Sequence, residues 1–274
     1  MRDELIKIAK ETVAISKLRK YSIKGKEIKL DVNFSSKLYH QIPELNKKGK
    51  KEGEISFIND AVMSVVCNEL KDLNNVTILN FASAKHAGGG FLTGSNAQEE
   101  SIARCSNMYL SLKKFQKDFY NKNKEENNPL YTDDIIFSRN ISVFRNSSLD
   151  FLNSPIIINI ITSPAVNAGV ARERKISEQV IEQTMQNRIR KIIEVAALER
   201  TDYLVLGAFG CGVFKNDDKK VAQMFKKVLE KEGMKYHFKK VIFAIYDTPS
   251  KYDRFIRYYS DWRWLYGRIT NVIL

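Results

Sequence analysis

Six short runs of apolar, largely β-branched residues punctuate the chain: 54–58 (EISFI), 75–81 (NVTILNF), 134–138 (DIIFS), 155–162 (PIIINIIT), 202–209 (DYLVLGAF) and 240–247 (KVIFAIYD). The run from Ile156 to Ile161 is too continuous for a strand with one wet face, and reads as sheet interior. Between these runs, apolar residues recur at helical spacing over 60–70, 98–119, 171–198 and 219–232. Val180, Met185, Ile189, Ile192, Ile193 and Ala196 make one such core-facing stripe. Strand–helix alternation of this kind predicts an α/β fold of three layers, α/β/α, with a mostly parallel central sheet. The first residues repeat an amphipathic helical pattern, so 1–50 reads as a helical extension packed on the domain. Residues 248–274, which include YDRFIRYYSDWRWLYG, read as a C-terminal helical segment. The polar stretches 45–53 and 121–129 read as loop insertions. No internal repeat and no Pro/Ser-rich linker divides the chain, so a single domain over 1–274 is expected.

Composition excludes several classes. The N-terminal segment has no apolar h-region, and no apolar run approaches the length that spans a bilayer, so a cytoplasmic protein is expected. Cys67, Cys105 and Cys211 are far apart, and His40, His86 and His237 show no ligand spacing, which predicts neither a disulfide frame nor a metal site. No cofactor is called for. The formal net charge of +13 suits an anionic ligand. The lysines, however, lie among glutamates in loops such as ELNKKGKKEGE, without a dense arginine patch. Direct sequence-specific nucleic-acid binding is therefore not expected.

Two glycine-rich turns each lead from a strand into a helix: HAGGGFLTGSNAQEE (86–100) and GAFGCGVFKNDD (207–218). Such turns leave backbone N–H groups free to hold an anion, and two at neighbouring strand ends would suit a diphosphate. Neither turn has the spacing of a dinucleotide-binding or P-loop glycine motif. Gln98, Glu99 and Glu100 follow the first turn at once. Two readings stand for them. Ser95 with Gln98, or Asn96 with Glu99, would form a helix capping box. Alternatively, adjacent carboxyls one short turn from a diphosphate loop would act on the neighbouring sugar, one as acid–base and one holding ribose hydroxyls.

The stretch LNFASAKHAGGGFLTGSNAQEESIARC resembles the signature of the bacterial-type poly(ADP-ribose) glycohydrolases, a branch of the macrodomain superfamily. That signature is a GGG run followed, here after seven residues, by QEE. IITSPAVNAG (160–169), GAFGCGVFKND (207–217) and LYTDDIIFSRNISVFRN (130–146) are similar to further stretches of the family. The resemblance implies a macrodomain that hydrolyses ribose–ribose O-glycosidic bonds and releases ADP-ribose. It implies Glu100 as catalytic acid–base, Glu99 as the residue at the distal ribose, and Gln98 among the substrate-binding residues. Gly88, Gly89, Gly90 and Phe91 match a first diphosphate loop, and Gly210, Cys211, Gly212, Val213 and Phe214 a second. Phe214 would lie against the ligand near adenine, Asn80 near the distal ribose, and Asn59 or Asp60 near adenine. The expected partners are ADP-ribose or poly(ADP-ribose) on modified macromolecules, with no membrane. His86–Ala87 and Phe209 depart from the family pattern. Two rivals remain: a hydrolase of single ADP-ribose units on protein or nucleic acid, and a module that binds ADP-ribose without cleaving it.

Overall fold

The computed structural model describes residues 2–30, 33–43, 45 and 49–260. The chain begins with helix α1 (Arg2–Leu18), the hairpin β1 (Lys20–Ile23) and β2 (Lys26–Lys29), then β3 (Ser35–Tyr39), β4 (Glu54–Ile58) and α2 (Val62–Glu69). Strand β5 (Val76–Phe81) precedes α3 (Gln98–Cys105), α4 (Met108–Lys113) and α5 (Lys122–Glu126). Strands β6 (Ile135–Arg145) and β7 (Phe151–Ser163) are followed by α6 (Ala168–Glu173) and α7 (Glu178–Leu198). The chain continues as β8 (Tyr203–Leu206), α8 (Asp218–Lys226), β9 (Lys240–Ala244) and α9 (Pro249–Ser260).

All six apolar runs form strands of one seven-stranded sheet, ordered β3-β6-β7-β5-β8-β9-β4. The five strands from β7 to β4 run parallel, and β6 runs antiparallel to both of its neighbours, β7 and β3. Successive residues of the central strand face opposite layers. Ile78 packs with α2, α3 and α4 through Met63, Ile102 and Met108, whereas Leu79 packs with α7 and α8 through Ile189 and Phe225. Both faces are thus covered, as a parallel sheet requires.

Several elements differ from the sequence expectation. Among its described residues, the segment 1–50 is helical only over α1. It then forms the β1–β2 hairpin and supplies β3 as the sheet's edge strand beside β6. The hairpin strands KYSI and KEIK are short and mostly exposed, and only Tyr21, Ile23 and Ile28 mark their inner face. The pattern over 98–119 is broken after α3, because Asn107 pairs with β6: its N–H donates to the Ser142 carbonyl, and its Oδ1 accepts the Ser142 N–H at 3.0 Å. A polar side chain that satisfies backbone groups locally competes with helix continuation. Residues 171–198 split into α6 and α7, where Ser177 caps the second helix by accepting the Val180 N–H. Residues 122–126 of the supposed loop insertion are helical. Within the C-terminal segment, α9 ends at Ser260, and 261–274, with most of the aromatic stretch, lies outside the described residues. Among the described residues, no helix is long and apolar enough to cross a membrane.

The sheet positions the glycine turns. Strands β5 and β8 pair only as far as Ile78 and Val205, then part. The first turn leaves the C-terminal end of β5, and the second leaves the C-terminal end of β8. Crevices of α/β sheets at such ends are where ligands bind.

Candidate active site

The parting of β5 from β8 leaves the Leu79 carbonyl and Phe81 N–H without a strand partner on that side. Gln98, the first residue of α3, fills both roles. Its Nε2 donates to Leu79 O at 2.7 Å, and its Oε1 accepts the Phe81 N–H at 2.8 Å. The start of α3 is thereby pinned to the end of β5. Gln98 therefore acts on the strand, and through it sets where the next two residues point.

Glu99 and Glu100 are buried, 3% and 8% exposed. Glu99 Oε2 accepts the Ser83 N–H at 2.7 Å, and its Oε1 accepts Asn80 Nδ2 at 3.2 Å. Asn80 also donates to Thr162 Oγ1. Asn80 is itself fully buried, so its contact is with the acid. Burial, reinforced by the neighbouring Glu100, pushes the Glu99 carboxyl up from 4.5 to about 8, against the pull of the donors around it. Glu100 Oε1 accepts the Gly90 N–H, and its Oε2 accepts the Ala97 N–H, both at 2.9 Å.

The second of those bonds corrects the capping expectation. Helix α3 is capped from Glu100 to Ala97, not by Ser95 with Gln98 or Asn96 with Glu99. Ser95 O and Asn96 Oδ1 instead accept the buried guanidinium of Arg104, at 2.7 and 2.5 Å. Arg104 stands four residues after Glu100, where helix geometry brings the two charges to one face. One bond of Glu100 serves the helix, and this leaves the capping and catalytic readings compatible.

The two turns serve different ends. In the first, Gly88 and Gly89 have φ of +70° and +61°. A Cβ on Gly89 would overlap Glu100 Oε1 and lie 3.0 Å from Glu99 Oε2. Only glycine leaves room there for both carboxyls. Its N–H groups are already engaged: Gly88 toward Glu99, Gly89 to His86 O, Gly90 to Glu100 and Phe91 to Gly88 O. Phe91 is fully buried against Tyr109, with ring centroids 4.9 Å apart. Within the first turn, the Gly90 N–H is the one that holds Glu100. In the second turn, Gly210 (φ +74°) packs under Asn216, whose Nδ2 donates to Val166 O and Gly210 O. The N–H groups of Gly212, Val213 and Phe214 have no acceptor within the described residues, and Val213 stands 89% exposed at the tip. N–H groups left free in a glycine turn are available to an anion.

Two hollows open on this crevice and share Phe81 and Ala97. One, of about 250 Å³, is lined by Glu99, Glu100, Ser83, Lys85, His86, Tyr131 and Phe214. The other, of about 910 Å³, is lined by Gln98, Cys211, Gly212, Asp60, Tyr246 and Asp247 among others. Phe214 lines the hollow of the acids, facing Tyr131 at 6.0 Å between ring centroids. Asp60 lines that cleft. The amide nitrogen of Asn59, in the orientation its neighbours require, donates to the carbonyls of Ile245 and Asp247 and so closes the end of β9.

Sequence reasoning missed Ser83, Arg104 and Tyr131. Arg104 was signalled by its spacing from Glu100. Tyr131 was not, because its ring reaches the acids only through the fold: the buried Arg188 donates to the Tyr131 carbonyl and to Asp133 from α7. Among the described residues, no three His, Cys, Asp or Glu side chains converge as a metal site.

The architecture has close counterparts. A poly(ADP-ribose) glycohydrolase from Thermomonospora curvata superposes with a TM-score of 0.83 at 30% identity, covering 94% of this chain and 98% of that one. The same enzyme bound to the inhibitor ADP-HPD gives 0.80. The Deinococcus radiodurans glycohydrolase in complex with ADP-ribose gives 0.72 at 33% identity, covering 82% of this chain and 92% of that one. No curated protein matches the chain. The profile of the microbial-type PARG catalytic domain, PARG being poly(ADP-ribose) glycohydrolase, matches residues 9–146, which include both acids, the first turn and Tyr131. With half of its length on that profile and its fold shared almost end to end, this chain belongs to the microbial-type poly(ADP-ribose) glycohydrolase family.

Proposed function

We propose that the chain hydrolyses ribose–ribose O-glycosidic bonds in poly(ADP-ribose) and releases ADP-ribose, with Glu100 as acid–base and Glu99 as the ribose-holding residue. The observation that carries this reading is the convergence of two buried carboxyls above Gly89, in a hollow that adjoins an outward-facing N–H cradle. The described elements act as one catalytic domain, since strands from 35–39 to 240–244 share a sheet.

The diphosphate of the bound unit rests on the N–H groups of Gly212, Val213 and Phe214, and the adenosine lies in the larger cleft beside Asp60. The distal ribose then enters the acid hollow against Phe214. Its hydroxyls donate to Glu99, which Asn80 and the Ser83 N–H hold in place. Burial keeps a proton on Glu99 at neutral pH. Hydroxyls donating to Glu99 favour its charged form and move that proton to Glu100. Glu100 gives the proton to the leaving ribose oxygen as the bond to the anomeric carbon breaks. Water attacks the resulting oxocarbenium-like centre and returns its proton to Glu100. Purified protein incubated separately with poly(ADP-ribose), singly ADP-ribosylated protein and ADP-ribosylated DNA tests the reading. ADP-ribose released fastest from the polymer supports it. Release from the single-unit substrates alone, or binding without release, overturns it.

A further inference from the structure

One edge of the acid hollow carries an arrangement that the reaction above does not use. Lys85 lines the hollow with Glu99 and Glu100. Its Nζ lies 3.3 Å from Asn127 Oδ1. The exposed Arg174 reaches the same residue from α6, donating to Asn127 O at 2.5 Å and approaching Asn127 Oδ1 at 3.5 Å. Two cations from distant parts of the chain thus converge on one neutral amide oxygen. Lys124 adds a third charge one turn before Asn127, whose left-handed backbone (φ +43°) ends α5. Burial, then Lys124 and Lys85, hold the imidazole of His86 between them below its ordinary value. None of Lys85, Lys124 and Arg174 has a carboxylate partner among the described residues, whereas neighbouring Lys122 and Arg172 are paired with Asp134 and Glu178. Like charges gathered without a counter-ion are held against their mutual repulsion, and an anion relieves it.

We propose that Lys85, Lys124 and Arg174 form a binding site for the diphosphate of the leaving chain, the unit on the far side of the scissile bond. The inference rests on the glycohydrolase reading and extends it from the released unit to the remaining polymer. In the proposed reaction the bound unit's own diphosphate rests at Gly212–Phe214, which is separate from these three cations. A ribose leaving group in the polymer carries a diphosphate one sugar away from the reacting oxygen. An amino-acid leaving group carries none there. The three cations therefore select polymer over single units through the leaving side alone.

The test compares the full chain with Lys124→Gln/Arg174→Gln, and with Lys124→Gln, which leaves the Arg174–Asn127 bonds intact. Each is assayed on poly(ADP-ribose), on ADP-ribose bearing a neutral nitrophenyl leaving group, and on an ADP-ribosylated oligonucleotide, with melting temperature and ADP-ribose affinity measured alongside. The expected result is a KM for polymer raised about tenfold in the double variant, with a weaker salt dependence. Turnover of the nitrophenyl substrate and ADP-ribose affinity stay unchanged, and the single variant falls between. Equal losses on polymer and nitrophenyl substrate, or no loss on polymer, overturn the site while leaving the glycohydrolase reading intact. A loss confined to the oligonucleotide assigns the cations to nucleic acid and also overturns it. A wild-type protein that cleaves none of the three overturns both readings.

Discussion

The backbone N–H of Gly90 donates to Glu100 Oε1 at 2.9 Å, so the glycine run and the acid form one unit. Gly89 makes room for the carboxyls, Gly90 holds one of them, and Gly88 turns the chain with a positive φ toward the other.

Gly89→Ala tests this unit. The added Cβ meets both carboxyls and sits on a left-handed backbone, which costs about 1–2 kcal/mol for a residue with a side chain. The folded protein should persist with a lower melting temperature. Turnover should fall about 10²-fold through displacement of Glu100. ADP-ribose affinity should fall less, because the free N–H groups lie on the other turn. Calorimetry and turnover on the same preparation check the split. Binding lost as completely as turnover would return the diphosphate to the first turn.

Gln98→Ala leaves the Leu79 carbonyl and the Phe81 N–H unpaired at the parting of β5 and β8. Each unsatisfied group costs about 1–3 kcal/mol when buried, less with water access. The start of α3 loosens, and with it both acids. Thermal unfolding should show the stability loss, and turnover should fall although Gln98 donates to no sugar in this account. An unchanged rate with lowered stability would make Gln98 structural only.

Most of the sheet was legible in the sequence because its strands are continuous β-branched runs, as at Ile156–Ile161. The hairpin β1–β2 and the edge strand β3 were not, since strands such as KEIK are short and mostly exposed. The acids and both turns were legible from glycine spacing and from the resemblance. The division of labour between the turns was not, because it depends on where individual N–H groups point. The place of Phe214 beside Tyr131 likewise depends on Arg188 reaching across from α7, a contact between residues far apart in the chain.

The raised Glu99 carboxyl makes stability depend on pH. Its folded value of about 8 lies above the 4.5 of a free glutamate. Between those values the folded state binds more protons than the unfolded one, so this contribution falls as pH rises. It is fully present below pH 4.5 and lost on passing pH 8. Glu99→Gln should flatten the pH dependence of unfolding free energy across that window, as measured by denaturant titration. A variant that keeps the wild-type slope would place the proton elsewhere.

The most direct measurement of the central claim is turnover of poly(ADP-ribose) by Glu100→Gln, set beside its ADP-ribose affinity. Glutamine keeps the side chain's length and an oxygen for the Gly90 N–H, yet it cannot deliver and recover a proton. The account predicts hydrolysis reduced by about 10²-fold or more, the scale of a lost general acid–base, with ADP-ribose binding near that of the wild type. Full turnover by this variant on a substrate that the wild type cleaves would contradict it.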